Sequence, residues 1–210
     1  MKGQLFSTPF GQTSVETTVI PNSPLGRWKD GLCDCCDLGP CHPSLLNAIL
    51  FPPILMAQVL TRMKMNWLGE SGPESEWRQT FKRVLCIFVS YIVANTVLQP
   101  FSVQDYANVG GTLQPVGPPP APVLAALNNL ISIAFGLYTL IVLMRLRSFI
   151  RERNQIPEKR CIGCEDLCCA AFCGCCTVAQ LARQTADYKE RRALCCSDTG
   201  LPQEQPAIIV

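Results

Sequence analysis

The chain has 210 residues, 48% hydrophobic and 16% charged, with 18 Lys and Arg against 16 Asp and Glu for a net charge of +2. Soluble domains carry about a quarter charged residues, so the composition opposes a water-soluble globule, and the near-neutral balance gives no basis for a nucleic-acid partner. Fourteen cysteines share the chain with a single histidine; without a base to raise a thiolate, no catalytic cysteine and no enzyme is expected.

Residues 1–25 are polar, rich in Thr, Ser, Pro and Gly, and read as a disordered tail. The start, Met1-Lys2-Gly3-Gln4, lacks the apolar run of a secretory signal, so no cleavage is expected. A first cysteine-rich segment, 26–68, holds Trp28, Cys33, Cys35, Cys36 and Cys41, then an apolar stretch from Leu45 to Leu60. That stretch falls short of the roughly 20 residues a span needs. Pro52-Pro53 at its centre also blocks helix hydrogen bonds, so a broken, interfacial or re-entrant helix is expected over 44–63. The connection 66–80 is polar, with Trp67 and Trp77 suited to a headgroup boundary.

Residues 69–147 read as a transmembrane hairpin. Val84–Leu98 reaches spanning length when extended to about 81–99, with Pro100 as its end. The loop 99–122 is rich in Gly and Pro and carries one charge, Asp105. Val123–Met144 is 22 residues without a charge, closed by Arg145, Arg147, Arg151 and Arg153. Cations flank the outer ends of both spans (81–99 and 123–144) and none lies in the loop between, so the positive-inside rule puts both termini in the cytoplasm. Asn128, Asn129 and Ser132 inside the second span read as helix–helix glue in preference to a conduction path. The arginines after Met144, with Lys159-Arg160, read as lipid headgroup contacts worth about 1 kcal/mol each.

In the second cysteine-rich segment, 148–196, a helix is expected over 165–192. Glu165-Asp166 at one end and Lys189, Arg191 and Arg192 at the other complement its dipole. On one continuous helix Cys169, Cys173, Cys176, Gln180 and Arg183 form a single stripe, with Cys161, Cys164, Cys168 and Cys175 beside it. Residues 197–210 are a C-terminal tail. The expected fold class is an all-α membrane protein: a two-helix transmembrane hairpin with cytoplasmic cysteine-rich helical segments.

Adjacent cysteine pairs rarely meet the geometry of a bridge, so mostly reduced thiols are expected. Cys161-x-x-Cys164 and Cys173-x-x-Cys176 have the spacing at which a short turn offers two thiolates to one Zn²⁺ or Cd²⁺. Cys35, Cys36 and Cys41, with His42, offer a mixed set. The candidate metal ligands are therefore Cys35, Cys36, Cys41, Cys161, Cys164, Cys169, Cys173 and Cys176, with Zn²⁺ the candidate ion and no other cofactor expected. Cysteines near a bilayer also suit palmitoylation, and cysteine packs as a small apolar residue; spacing leaves all three open. Two spans are too few to enclose a pore, so transport would require a homo-oligomer, with membrane lipid as the other partner.

The string Gly31-Leu32-Cys33-Asp34-Cys35-Cys36-Asp37 resembles the opening of the placenta-specific gene 8 family, which includes cornifelin, plant cadmium-resistance proteins and the cell-number regulators. The second half resembles it more fully, through Arg151, Arg153, Ile156-Pro157, Asp166, Cys168-Cys169, Cys173, Cys176, Gln180 and Arg183. The resemblance covers 26–68 and 145–196. It implies a small protein of the plasma membrane, linked to divalent-metal tolerance or efflux, calcium entry, or control of cell number and growth, without enzymatic activity. Gln180 and Arg183 are the family-motif pair. Phe51-Pro52-Pro53 stands where the family has Cys-Pro-Cys, and Ala57 and Ala179 stand where a Cys usually precedes the Gln. The Ala57-Gln58 and Ala179-Gln180 echo hints at an internal duplication. Two functions stay open: a protein that binds or transports divalent metal, and a non-transporting membrane scaffold or growth regulator with structural or acylated cysteines.

Overall fold

The computed structural model describes residues 24–34, 39, 42–103, 105–109, 111–116, 119, 121–158, 163–188 and 193–202. The apolar stretch before the hairpin forms two helices, α1 (Pro43–Leu50) and α2 (Pro52–Arg62). Proline at the first position suits both helix starts, and Phe51 between them leaves the helical region (φ −138°, ψ 58°) because a residue before proline is pushed out of it. The His42 ring caps α1, accepting from Ser44 N at 3.3 Å; burial lowers its pKa from the ordinary value and favours the neutral ring that accepts.

A short helix α3 (Glu74–Trp77) leads into α4 (Thr80–Ser102), which connects through a strand pair to α5 (Pro122–Arg153). Both α4 and α5 are long and apolar enough to cross a membrane, and only 6% and 11% of their apolar windows are buried inside the protein. Pro100 does not end α4. It sits in the last turn, where a missing N–H removes one bond without breaking the helix. The connection is more ordered than a loop: β1 (Asp105–Val109) and β2 (Thr112–Val116) pair antiparallel, with Val109 opposite Thr112. The Gly110-Gly111 pair is the usual signal for such a two-residue turn.

α5 continues well past Met144. Its 32 residues make a rod of about 48 Å at 1.5 Å per residue, longer than the hydrocarbon of a bilayer. Val142, Leu143, Leu146, Arg147 and Ile150 in its last turns are buried.

The expected single helix over 165–192 is instead α6 (Glu165–Phe172) and α7 (Gly174–Gln184), bent by 115°. Cys173 is non-helical (φ −134°, ψ 46°) and Gly174 is a weak helix former. The Thr177 hydroxyl secures the corner by donating to Cys169 O at 2.9 Å. The bend splits the sulfur stripe between two helices.

α6–α7 repeats α1–α2. Each is an 8-residue helix, one non-helical corner residue, and an 11-residue helix whose seventh residue is a glutamine, Gln58 or Gln180. The hairpin is inserted between the two copies. The hydrophobic core lies in the layer that these copies build at one end of the hairpin. Val59, Leu60, Leu146, Ile150, Leu181 and Ala182 are wholly or almost wholly buried there. Along the hairpin, Tyr91 stacks on Phe135 at 4.0 Å, Ser132 Oγ donates to Asn95 Oδ1 at 3.2 Å and Asn128 Nδ2 to Ser102 Oγ at 3.4 Å. Asn128 and Ser132 therefore join the helices, whereas Asn129 is exposed.

This placement of the core predicts that Leu146→Ala destabilises the protein by roughly 2–5 kcal/mol. The exposed Leu130 should tolerate the same change with little effect. Chemical unfolding of the two variants in detergent, followed by tryptophan fluorescence, measures both.

Candidate functional site

Arg147 sits on the apolar stripe of α5 and is 2% exposed. Its Nη1 donates to Gln180 Oε1 on α7 at 2.6 Å, and its Nε lies 3.1 Å from Asp166 Oδ1 on α6 without hydrogen-bond alignment. Its Nη2 is 3.7 Å from Glu165, and its guanidinium plane lies 4.5 Å from the centroid of Trp28. One α5 side chain thus touches both helices of the second repeat and the segment before the first. Arg151, a turn later, donates to Asp166 Oδ2 at 3.0 Å and pairs with Glu158 at 2.8 Å. Arg145 pairs with Glu70 at 2.7 Å. The expectation of lipid headgroup contacts is therefore corrected for Arg147 and Arg151, whose side chains are turned into bonds within the chain, whereas Arg145 stays exposed beside Glu70.

The family-motif pair points the same way. Gln180 is 3% exposed, and its Nε2 donates to Asp30 O at 2.9 Å. Arg183 Nε donates to Asp30 Oδ2 at 3.1 Å and its Nη2 to Gly31 O at 3.3 Å. Two residues of α7 thereby bind the strand of chain that carries Cys33. The first repeat mirrors this. Gln58, 1% exposed, directs its Nε2 at Leu194 O, Cys195 O and Ser197 O, between 2.9 and 3.3 Å. Gly200 has φ +71°, and a Cβ there would stand 2.7 Å from Gln58 Oε1, so the loop closes only around glycine. Each repeat's glutamine grips a segment outside its own repeat: Gln58 the chain after the second, Gln180 the chain before the first.

The thiols do not converge in the same way. Cys168 and Cys175 are exposed, and Cys169, Cys173 and Cys176 are half-buried on or between α6 and α7. Cys175 Sγ and Cys176 Sγ lie 3.9 Å apart. Cys164 is disulfide-bonded, which removes it as a thiolate ligand, and nine other cysteines among the described residues are free, in keeping with mostly reduced thiols. Burial pushes the Cys169 thiol up, with Glu165, Asp166 and Cys173 adding to the shift and Arg147 opposing it. Cys35, Cys36, Cys41 and Cys161 lie outside the described residues. Among the described residues no three His, Cys, Asp or Glu side chains could hold one metal ion. The described members of the candidate set thus do not by themselves fit Zn²⁺.

Sequence reasoning singled out Gln180 and Arg183 but missed the roles of Arg147, Gln58 and Asp30. Two signals pointed to them. In Leu143-x-x-Leu146-Arg147-x-x-Ile150 the arginine occupies a core-facing helical position, where a charge must be paired. The Ala-Gln echo marked Gln58 as the counterpart of Gln180.

A protein-family model, described as the PLAC8 family, matches residues 28–184. No curated protein and no solved structure matches the chain. The matched range takes in both repeats, the hairpin and the Arg147 network.

Removing one partner of a buried pair leaves the other uncompensated, so Arg147→Ala is expected to cost roughly 3–5 kcal/mol. A double-mutant cycle with Asp166→Asn should show coupling of about 0.5–3 kcal/mol in denaturant unfolding. The raised Cys169 pKa predicts that its iodoacetamide alkylation at neutral pH is slower than that of the exposed Cys168. Because a higher pKa delays thiolate formation, the Cys169 rate should keep climbing as pH rises above the ordinary thiol range. Single-cysteine variants followed by mass spectrometry read both rates.

Proposed function

The chain belongs to the PLAC8 family, and from that premise we propose that it is a non-enzymatic membrane scaffold. In this reading the hairpin anchors a rigid layer of paired helices on the cytoplasmic side of the plasma membrane. The layer serves as a platform in the control of cell number and growth, and copies of the chain associate through their spans. The observation that carries the reading is the inward direction of the motif. Gln180 and Arg183 are spent on Asp30, Gly31 and Arg147, not on a thiol cluster or a path through the hairpin.

The orientation rests on the distribution of charge. The hairpin ends joined to the layer carry Lys82, Arg83 and Arg145, whereas the opposite connection has one acidic residue and no Lys or Arg. The cysteines then serve as small packing groups where half-buried, and as acylation sites where exposed. Cys168 is the foremost of these, since its neighbours Leu167 and Phe172 expose apolar surface, Phe172 to 86%. There its thiolate displaces coenzyme A from a long-chain acyl thioester, leaving the chain on sulfur. One acyl chain strengthens membrane attachment only marginally, so it would add orientation to an anchor the spans supply.

A second reading, binding or movement of divalent metal by an oligomer, draws on one specific observation. The clasp on Asp30 and Gly31 holds the segment that leads to Cys33 against α7, the helix that carries Cys175 and Cys176. A complete Zn²⁺ set would need thiols from both clusters.

Acyl-exchange labelling and metal analysis of detergent-purified protein separate the two. The scaffold reading expects hydroxylamine-sensitive labelling that falls on Cys168→Ser, with no bound metal. Zn²⁺ in fixed stoichiometry, lost when Cys173 and Cys176 become Ser, would replace it with the metal reading.

A further inference from the structure

A cavity of about 570 Å³ lies where the hairpin meets the layer. Its walls include Phe88 of α4, Phe135, Gly136 and Leu140 of α5, Met56 of α2 and Val178 of α7. The volume is in the range, roughly 300–1,000 Å³, of cavities that bury a small ligand. Thr139 is the hydroxyl on the wall, and it donates to Phe135 O and Gly136 O of its own helix, at 3.1 and 2.9 Å. The wall thus presents hydrocarbon and aromatic surface with little to hold water, and apolar cavities stay dry.

Two glycines keep this space open. In a helix interior glycine is less stable than alanine, and the usual reason for one in a membrane span is close approach of a neighbouring helix. That reason fails at Gly136, where an added Cβ would meet no atom within 4 Å. At Gly174 it would meet Leu143 Cδ2 at 3.8 Å, an ordinary contact. Neither has the left-handed backbone that requires glycine. What both positions supply is room.

We propose that this cavity binds one acyl chain of a bilayer phospholipid. The occupant follows from continuity with the membrane-facing surface. The same stretch of α5 that supplies Phe135, Gly136 and Leu140 exposes Ile133, Leu137 and Ile141 around the rest of its circumference. An apolar space at the junction of hairpin and layer, one wall of which is this lipid-facing span, opens toward lipid tails. The inference is independent of cysteine acylation, because the chain belongs to a lipid and not to a thiol.

The test uses the full chain in phosphatidylcholine vesicles containing a phosphatidylcholine with a diazirine in its acyl chain, with adducts mapped by mass spectrometry after illumination. Met56 and Val178 stand on the cavity wall that α2 and α7 supply, away from the outward faces of the spans, so adducts there report a chain inside the cavity. The proposal expects adducts at both, falling several-fold in Gly136→Phe while those at Leu137 persist and thermal stability holds or rises. Gly174→Leu fills the space from the opposite wall should Gly136→Phe not fold, and Gly136→Ala is the conservative control. Absence of adducts at Met56 and Val178, or adducts that persist when the cavity is filled, would overturn the proposal. So would dependence on the Cys175 thiol, meaning a tethered chain, or protein–protein adducts there, meaning a second copy.

Discussion

A guanidinium that cannot give up its proton is buried at the centre of this molecule, and the layer beneath the hairpin is built to satisfy it. Arg147 has no neutral form to retreat to, so folding must bring it acceptors. They come from Gln180, Asp166 and Glu165, with the Trp28 ring as a further cover. The supports reach it from α6, α7 and the segment before α1, which makes their assembly mutually dependent. The network extends through Asp166 to Arg151 and Glu158. Because Arg147 belongs to the same rod as the second span, the layer is fixed to the hairpin by a continuous helix and not by a tether.

The reciprocal glutamines add specificity. A buried amide whose hydrogen-bonding groups are engaged accepts few alternative partners, and leaving it unmatched is costly. Gln58 and Gln180 each fix a segment outside its own repeat. The segments bearing Cys33 and Cys195 are thereby held to the layer while their thiols stay exposed. The placement of the sulfurs follows from the clasp. They ride on the surface and corners of a framework made by amides and guanidinium groups.

Much of the architecture was legible in the chain. Uninterrupted apolar length identified the two spans, and Pro52-Pro53 identified the broken helix, since both signals act locally. The break at Cys173-Gly174 was not, because helix spacing alone does not register a corner that depends on a tertiary hydroxyl bond from Thr177. Nor does composition distinguish an arginine at a lipid boundary from one two residues on that turns inward. Arg145 and Arg147 differ only in helical phase, and phase against a core is visible once the core is known. The strand pair was concealed by the abundance of proline around a recognisable Gly-Gly turn. The Ala-Gln echo carried more than its two residues suggest, marking the same position in two copies of one helix–corner–helix unit.

The measurement that bears most directly on this account is amide hydrogen exchange in Arg147→Lys, which keeps the charge but loses the planar fork that joins Gln180 to Asp166. Joint loss of protection across α6, α7 and residues 28–31, with α4 and the membrane portion of α5 unchanged, is the result expected if the guanidinium organises the layer. Loss confined to the turn of α5 around position 147 would show that the repeats assemble without it.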